Sequence, residues 1–463
     1  MKKIALYQPR HNNATPTGLG HIYLPSSLAT VGSRILMAGG EIAFQDGNLR
    51  PLVFDQQVTG INLLGAPYIP EVIKLRGQIA ASVGPDADLV LGGQVLTGFT
   101  REQFQRLFGG RAYDGNDDAV LKRLLGMELA RLPVPEETTM IPFYEQITDA
   151  DFRQYMEHEF CLYLSQGCKF ACEFCAANRT FRDPVTGQIS VVKERYRRLD
   201  LVDGELDYLV TRSQRLGIFH LEIYLSNLDT FQTPDQLKQF AELVITCKRK
   251  HPGFSFRLRG LSTAAAFMET YRDDPSVITT MVDAGLWSIG FGVDGTSKEV
   301  WKSIKKGHNH IDQCIDAIRL TREAFAITPE VFMVVGHATD TPDTLRDDVE
   351  FILDMADCYG ASPRPYVAKS IVPGNSGWRD PAHAALVEQL LTDPHYFQVL
   401  DYAALPTSLT HPDPQIRAEI TKVFLMMTTI PGNTTNVVYP NSPDEDERGN
   451  RLHRRLNQGK VDR

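Results

Sequence analysis

Gln166-Gly167-Cys168-Lys169-Phe170-Ala171-Cys172-Glu173-Phe174-Cys175 sets three cysteines within eight residues, directly after a short apolar strand, Phe160 to Leu164. Three thiols this close can converge on one face of a loop. Thiolates are the usual ligands of iron–sulfur clusters and of zinc. The number of ligands separates the two. Structural zinc takes four. The nearest fourth cysteine, Cys161, stands seven residues before Cys168 and inside the strand. That is roughly 23 Å away if the chain is extended at about 3.3 Å per residue. Three thiolates on a four-iron cluster leave one iron open. A zinc knuckle, or three buried thiols, is the other reading of the same residues.

The cysteines open a series of strand and helix signals. Strands are expected at Phe160 to Leu164, Phe219 to Leu225, Phe254 to Leu258, Trp287 to Val293, Val331 to Val335 and Tyr366 to Ile371. Helical spacing lies between them, as in Pro234 to Lys250 and Asp312 to Phe325. Six strands joined by helical crossovers imply a parallel, barrel-like α/β array.

A second α/β series precedes this one. Strands are expected at Lys3 to Tyr7, Glu41 to Phe44, Gly60 to Leu64 and Leu89 to Leu91, with helices at Leu28 to Met37, Val72 to Val83 and from Arg101 to Phe108. Its glycines fall at strand ends, where open parallel sheets hold ligands. A polar stretch, Arg10 to Gly20, follows the first strand. Residues 111–150 show no clear period and contain Pro133, Pro135 and Pro142, so they read as a connector.

The bulk properties agree with a globular chain. It has 463 residues, a prior of two to three domains at about 150 each. Apolar residues make up 43% and charged residues 23%, which argues against extensive disorder. The formal net charge of −9 disfavours non-specific nucleic-acid binding, and no nucleic-acid partner is expected. No apolar run approaches the roughly 18 to 20 residues of a membrane span. Met1-Lys2-Lys3 precedes too short an apolar run for a signal peptide. A cytoplasmic location is expected, with the seven cysteines as ligands or buried thiols rather than disulfides. The basic tail after Pro440 is given no function.

The spacing Cys-x3-Cys-x2-Cys, with Phe174 before the last cysteine, resembles the signature of the radical S-adenosylmethionine (radical SAM) superfamily. The resemblance covers about residues 155 to 375. It implies that Cys168, Cys172 and Cys175 hold a [4Fe-4S] cluster whose open iron chelates SAM. It implies an electron from an external donor such as flavodoxin or ferredoxin, and cleavage of a carbon–sulfur bond, usually to a 5′-deoxyadenosyl radical. Phe174, Ser226, Asn227, Asp294, Gly336 and one of Arg257 and Arg259 are the SAM contacts implied by matching positions. Leu225-Ser226-Asn227-Leu228-Asp229 departs from the family's Gly-Gly-Glu, and Asp294 stands where the family has Glu. One of Arg257 and Arg259 is expected to face the barrel lumen, because side chains alternate, and an inward arginine could pair with the SAM carboxylate; the choice between them stays open.

A Rossmann-like unit ahead of such a barrel resembles the cobalamin-dependent class. Leu24-Pro25-Ser26-Ser27-Leu28-Ala29 and Gln45-Asp46-Gly47 are similar to its first helix and second strand. The likeness implies that Leu64 and Gly65 lie beneath a corrin ring, and that Gly92 and Gly93 permit close approach of its nucleotide tail. The Asp-x-His-x-x-Gly loop of cobalamin mutases is missing, since His11 and His21 sit in no such motif.

The expected fold is therefore α/β: a Rossmann-like cobalamin-binding-type domain (1–115), a connector (116–154), a partial (β/α)6 radical SAM barrel (155–375) and a small C-terminal appendage (376–463). The expected activity is cobalamin-dependent methyl transfer to a small-molecule or peptide-derived substrate. A radical SAM enzyme of non-methylating type with an empty first domain, and a zinc-binding non-enzymatic protein, are the alternatives. A methylthiotransferase is disfavoured, because no cysteine precedes Cys161. Tyr224 and His337 are candidate catalytic residues, and Glu222, Tyr366 and Tyr402 are further lumen candidates. Trp287 is expected in the core, His308 and His310 at the surface, and Cys247, Cys314 and Cys358 as buried thiols.

Overall fold

The computed structural model describes residues 3–10, 22–126, 132–170, 172–175, 181–182, 189–190, 193–408, 411, 413–435 and 437–438. His11, His21, most of the polar stretch after Arg10, Ala171 within the cysteine loop and the tail after Pro440 lie outside the described residues.

The first sheet contains β1 (Lys3–Gln8), β2 (Glu41–Asp46), β3 (Val58–Asn62), β4 (Asp88–Gly92) and β5 (Ala112–Asp114). All pair in parallel, in the order β2-β1-β3-β4-β5. Helices α1 (Ser26–Met37), α2 (Ile69–Val83) and α3 (Arg101–Phe108) lie in the crossovers, and α4 (Asp118–Leu125) follows β5. In α1, Leu28, Ala29, Gly32 and Ile35 are buried, the spacing of one helical face. The segment read as a connector contributes β5 and α4 to this unit. A three-residue strand is too short to show a period. Helices α5 (Ile141–Tyr144) and α6 (Asp149–Met156) then lead to the barrel.

The barrel strands are β6 (Glu159–Tyr163), β7 (His220–Ser226), β8 (Ser255–Ser262), β9 (Leu286–Gly292), β10 (Thr328–Val335) and β11 (Ser362–Val367). They form one parallel sheet in sequential order, with β6 and β11 at its two edges. The outer layer holds α7 (Leu199–Arg215), α8 (Pro234–Lys250), α9 (Ala264–Asp273), α10 (Ser276–Ala284), α11 (Lys298–Ser303), α12 (Ile311–Glu323) and α13 (Pro342–Tyr359). Local chemistry sets the ends of these helices. In α13, Thr341 and Thr344 form a reciprocal capping box, Pro342 starts the helix and Gly360 closes it in the left-handed conformation. The last strand lies earlier than expected, because Pro363 and Pro365 look like strand breakers. Proline is tolerated on an edge strand, which lacks a partner on one side.

The C-terminal segment is not a separate appendage. Helix α14 (Ser376–Arg379), α15 (Ala384–Thr392) and the turn Pro394–Leu400 pack on the first domain. Trp378 and Phe397 are buried there against Phe99. Arg106 makes a bidentate ion pair with Glu388. Helix α16 (Pro414–Thr429) packs instead on α13 and β11. One segment thus bridges both domains. Its apolar partners are hundreds of residues away in sequence, so no local period announces them. Among the described residues, no helix is long and apolar enough to cross a membrane.

Candidate active site

Side chains alternate along each barrel strand, so one parity lines the lumen. On β7 the lumen side carries Glu222, Tyr224 and Ser226, while Leu221, Ile223 and Leu225 are fully buried on the other side. Register pairs Glu222, Tyr224 and Ser226 with Glu159, Cys161 and Tyr163 of β6. Cys161 is therefore a lumen thiol below the cysteine loop, and burial pushes it up to about 11.

The lower lumen is an ion network. Arg259 donates from Nε and Nη2 to the two oxygens of Glu330 at 2.6 and 2.8 Å, and from Nη1 to Glu159 at 3.3 Å. Arg364 and Ser288 also donate to Glu330, and Tyr23 donates to Glu159 at 2.7 Å. Arg259 lies over the Tyr224 ring, 5.4 Å from its centroid. Burial raises the Tyr224 phenol well above its usual range. Arg257 is exposed instead. It pairs with Glu222 at 2.6 Å and covers Trp287 at 4.0 Å. Of the two arginines, Arg259 points inward, but all three of its guanidinium nitrogens are held by protein carboxylates. Trp287, expected in the core, is half-buried under Arg257, because it starts a strand at the open lower rim.

The C-terminal ends of the strands form the mouth. Cys168, Cys172 and Cys175 lie there in the loop after β6, all half-buried and free of disulfides. Glu173 anchors this loop. Its backbone N–H donates to Ile304, and its carboxylate accepts from Lys305 at 2.7 Å and from the Ser376 backbone at 2.9 Å. Burial opposes ionisation of Glu173, but Lys305 and Ser376 more than offset it and hold the carboxyl at about 2. Asp294, at the end of β9, adopts φ 55° and is buried. Its carboxylate is paired to the buried Lys306, which also donates to Gly292 O at 2.6 Å. Burial works against the Lys306 charge, yet Asp294 raises its pKa overall.

Among the polar atoms buried at this mouth, Asn227 Nδ2 stands beside Tyr196 Oη, and His308 Nε2 and His337 Nε2 have no hydrogen-bond partner. Burial lowers the His337 pKa although Asp340 opposes it, and its ring stands 6.1 Å from Phe174. Gly336 and His337 are held by their backbone N–H groups on Asp340, both at 2.8 Å. Ser226 is half-buried on the lumen side of β7.

Several residues here escaped the sequence reading. Asp229 is buried and accepts from Ser262 at 2.7 Å and Thr263 at 2.9 Å, tying the ends of β7 and β8 together. His308, expected at the surface, stacks on Phe170 of the cysteine loop with ring centroids 3.7 Å apart. Burial, then Lys306, lowers it to about 4. Tyr402 donates to Phe174 O at 3.1 Å, and Tyr366 stacks on Phe332. Lys369 is buried after β11, bonds to Ala404 O at 3.0 Å, and is pushed down to about 7 by burial. Cys247 and Cys314 are buried as expected, whereas Cys358 is exposed. Cys358 falls on the outward side of an amphipathic helix, which its helical pattern alone did not reveal.

The donor set at the mouth suits a cluster better than a single ion. Burial pushes the Cys168 thiol up to about 12 and the Cys172 thiol to about 11. Such thiols stay protonated unless a metal binds them. Three thiolates leave a structural zinc one ligand short, whereas on a four-iron cluster they leave one iron open.

In the first domain, an open groove of about 110 Å³ runs between β1, α1, β3 and β4. Gly60, Gly92, Gly93 and Gly115 line it, with Ser27, Asn62 and Asn116 as its polar groups. Gly93 has φ 136°, and a Cβ there would stand 2.0 Å from Leu63 O, so only glycine fits. A Cβ on Gly92 would meet nothing within 4 Å, so its bareness serves the groove and not the packing. Leu64 is 39% exposed beside Gly65. The first domain has no histidine among its described residues.

Residues 162–352 match the family model of the radical SAM superfamily. These residues form a radical SAM domain. Curated proteins give no match to the sequence. Among solved structures, the radical SAM methyltransferase TsrM from Kitasatospora setae, bound to tryptophan substrate and a SAM analogue, superposes with a TM-score of 0.60 at 16% identity, covering 84% of this chain and 76% of that one. TsrM with cobalamin and a [4Fe-4S] cluster gives 0.59 at 15% identity, covering 81% and 73%. The cobalamin-dependent SAM radical enzyme OxsB, with aqua-cobalamin and SAM, gives 0.56 at 14% identity, covering 93% and 61%. At these identities the likeness is one of fold: a first α/β domain, then the radical SAM domain with its barrel.

Proposed function

We propose that this chain is a cobalamin-dependent radical SAM methyltransferase acting on a small-molecule or peptide-derived substrate. The observation that carries the reading is one pair of adjacent residues. Asp401 acts on the Tyr68 phenol at the ligand edge of the first domain, and Tyr402 bonds to Phe174 in the cysteine loop. Residues 401 and 402 therefore tie the C-terminal segment to the first domain and to the cysteine loop at once. Fold likeness to TsrM and OxsB supports the same reading.

In this reading Cys168, Cys172 and Cys175 hold a [4Fe-4S] cluster, and the mouth residues hold SAM. His337 Nε2 and His308 Nε2 are unpaired polar atoms there, suited to polar groups of a ligand. Asp294 and Lys306 are already paired and shape the site. Arg259 is committed to Glu330 and Glu159, so it supports the lumen instead of taking the SAM carboxylate. The glycine-lined groove takes the nucleotide tail of cobalamin, with Leu64 and Gly65 under the ring. When bound, these groups supply one-electron cleavage of SAM and delivery of a methyl group.

The chain's own residues supply positioning. Trp378 and Phe397 fix the bridging segment on the first domain through Phe99. Lys369, buried after β11, donates to Ala404 O and so ties the last strand to the bridging segment. Tyr224 lies deeper, beneath the mouth. An external one-electron donor is required.

The test is anaerobic purification after growth with cobalamin, followed by product analysis with candidate substrates. Corrin absorbance with S-adenosylhomocysteine and a methylated product supports the reading. A folded, colourless protein that ignores added hydroxocobalamin, yet cleaves SAM, would overturn it in favour of a non-methylating radical SAM enzyme.

A further inference from the structure

Far from the mouth, α7 and α8 pack side by side on the outside of the barrel. Asp203 and Asp207 stand one turn apart on α7. Cys247 stands on α8, and His251 follows one turn later at its C-cap. The two pairs face each other. Cys247 Sγ lies 3.7 Å from Asp207 Oδ1, and His251 Nε2 lies 3.3 Å from the same oxygen. The ligand atoms of Asp207, Cys247 and His251 all fall within 4.8 Å of one another. Around a tetrahedral zinc with bonds of about 2.0 to 2.3 Å, neighbouring donors stand about 3.3 to 3.7 Å apart. Asp203 Oδ1 is buried without a hydrogen-bond partner.

We propose that Asp207, Cys247 and His251, with Asp203 as fourth ligand, form a structural zinc site that clasps α7 to α8. The donor chemistry selects the ion. A thiolate and an imidazole suit zinc, whereas calcium and magnesium want oxygen alone. Cys247 is fully buried, which favours a permanent ligand over a reactive thiol.

Lys250 explains how the same residues are held without metal. Its ammonium lies 3.1 Å from Asp207 and 3.8 Å from Asp203, and its side chain is 43% exposed. It is free to withdraw into solvent. On binding, zinc replaces the thiol proton of Cys247, which passes to water, and it displaces the ammonium from direct contact. One thiolate and two carboxylates on Zn²⁺ leave a net charge of −1, which Lys250 balances from outside. The clasp joins the helices that follow β6 and precede β8, and so braces the strands bearing the cysteine loop and Asn227.

The experiment uses the full chain with Cys168, Cys172 and Cys175 changed to alanine, so that the cluster thiols do not compete. Zinc is titrated against a chromophoric chelator. The expected result is one zinc per chain at sub-micromolar affinity. Cys247→Ser and His251→Gln should each weaken it more than about 100-fold, and Asp203→Asn by less. Cys314→Ser, a buried helical thiol elsewhere, should leave it unchanged. Cobalt(II) should give a thiolate charge-transfer band that Cys247→Ser removes. As a check independent of folding of that variant, the iron-loaded wild-type chain should retain one zinc beyond its iron. Absence of zinc tighter than micromolar in both proteins, or zinc retained unchanged by Cys247→Ser, would overturn the assignment.

Discussion

Arg259 and Glu330 meet through two parallel hydrogen bonds, 2.6 and 2.8 Å long, in the closed lower lumen of the barrel. Both side chains are almost fully buried. Breaking such a pair strands a charge in a desolvated place. Arg259→Met should therefore cost about 3 to 5 kcal/mol of stability, measured by urea unfolding of the cluster-free chain. Arg259→Lys, which lacks the planar fork, should also destabilise. If Arg259→Lys instead unfolded like wild type but lost SAM binding, the residue would be a ligand and not a strut.

Glu173 links the cysteine loop to Lys305 and to Ser376. Its pKa is depressed, so its contribution is fully present above its ordinary value of 4.5 and is lost only as the pH falls towards about 2. At neutral pH Glu173→Ala should loosen the loop with little change in fold. Iron release to a chelator should become several-fold faster, while the melting temperature stays within a few degrees.

Asp348 offers a pH test with the opposite sign. Burial, aided by Asp340, raises its carboxyl to about 7. Thr296 donates to Oδ1 from both N and Oγ1 at 2.8 Å. A raised acid favours the folded state while protonated, so stability falls as the pH rises from about 4 to 7. The full swing is up to about 4 kcal/mol. Asp348→Asn keeps the acceptor oxygen and removes the charge. Its melting temperature should exceed wild type at pH 8 and match it near pH 4. An unchanged pH profile would contradict this.

Gly92 and Gly93 separate folding from binding. Gly93→Ala collides with Leu63 O and should destabilise the first domain. Gly92→Val finds open space and should leave the melting temperature near wild type, while lowering cobalamin uptake at least about tenfold by filling the groove. Normal corrin binding by Gly92→Val would place the nucleotide tail elsewhere.

The cysteine spacing and the alternation of strand and helix made the two α/β units readable in advance. Alternation was expected to send one of Arg257 and Arg259 inward, but residues two apart share a face of β8, and it is depth that exposes one and buries the other. Depth depends on where the sheet ends, and a register shift at Leu258/Arg259 adds to it. The engagement of Arg259 by Glu159 and Glu330, 100 and 71 residues away, is tertiary information. The same holds for His308 on Phe170 and for the bridge made by residues after Ser376. Strand β5 was too short to read as a strand, and the prolines of β11 pushed its expected start downstream to Tyr366. The Asp203/Asp207 and Cys247/His251 pairs were visible as helical repeats, but nothing in the sequence set the two helices side by side.

Cluster composition tests the central claim most directly. After anaerobic reconstitution with iron and sulfide, the account predicts about four irons and four sulfides per chain. The reduced protein should show a cluster EPR signal that shifts when SAM is added, and the Cys168, Cys172 and Cys175 to alanine variant should show none. A chain that takes up zinc at these cysteines and no iron, or a cluster signal that SAM leaves unmoved, would contradict it.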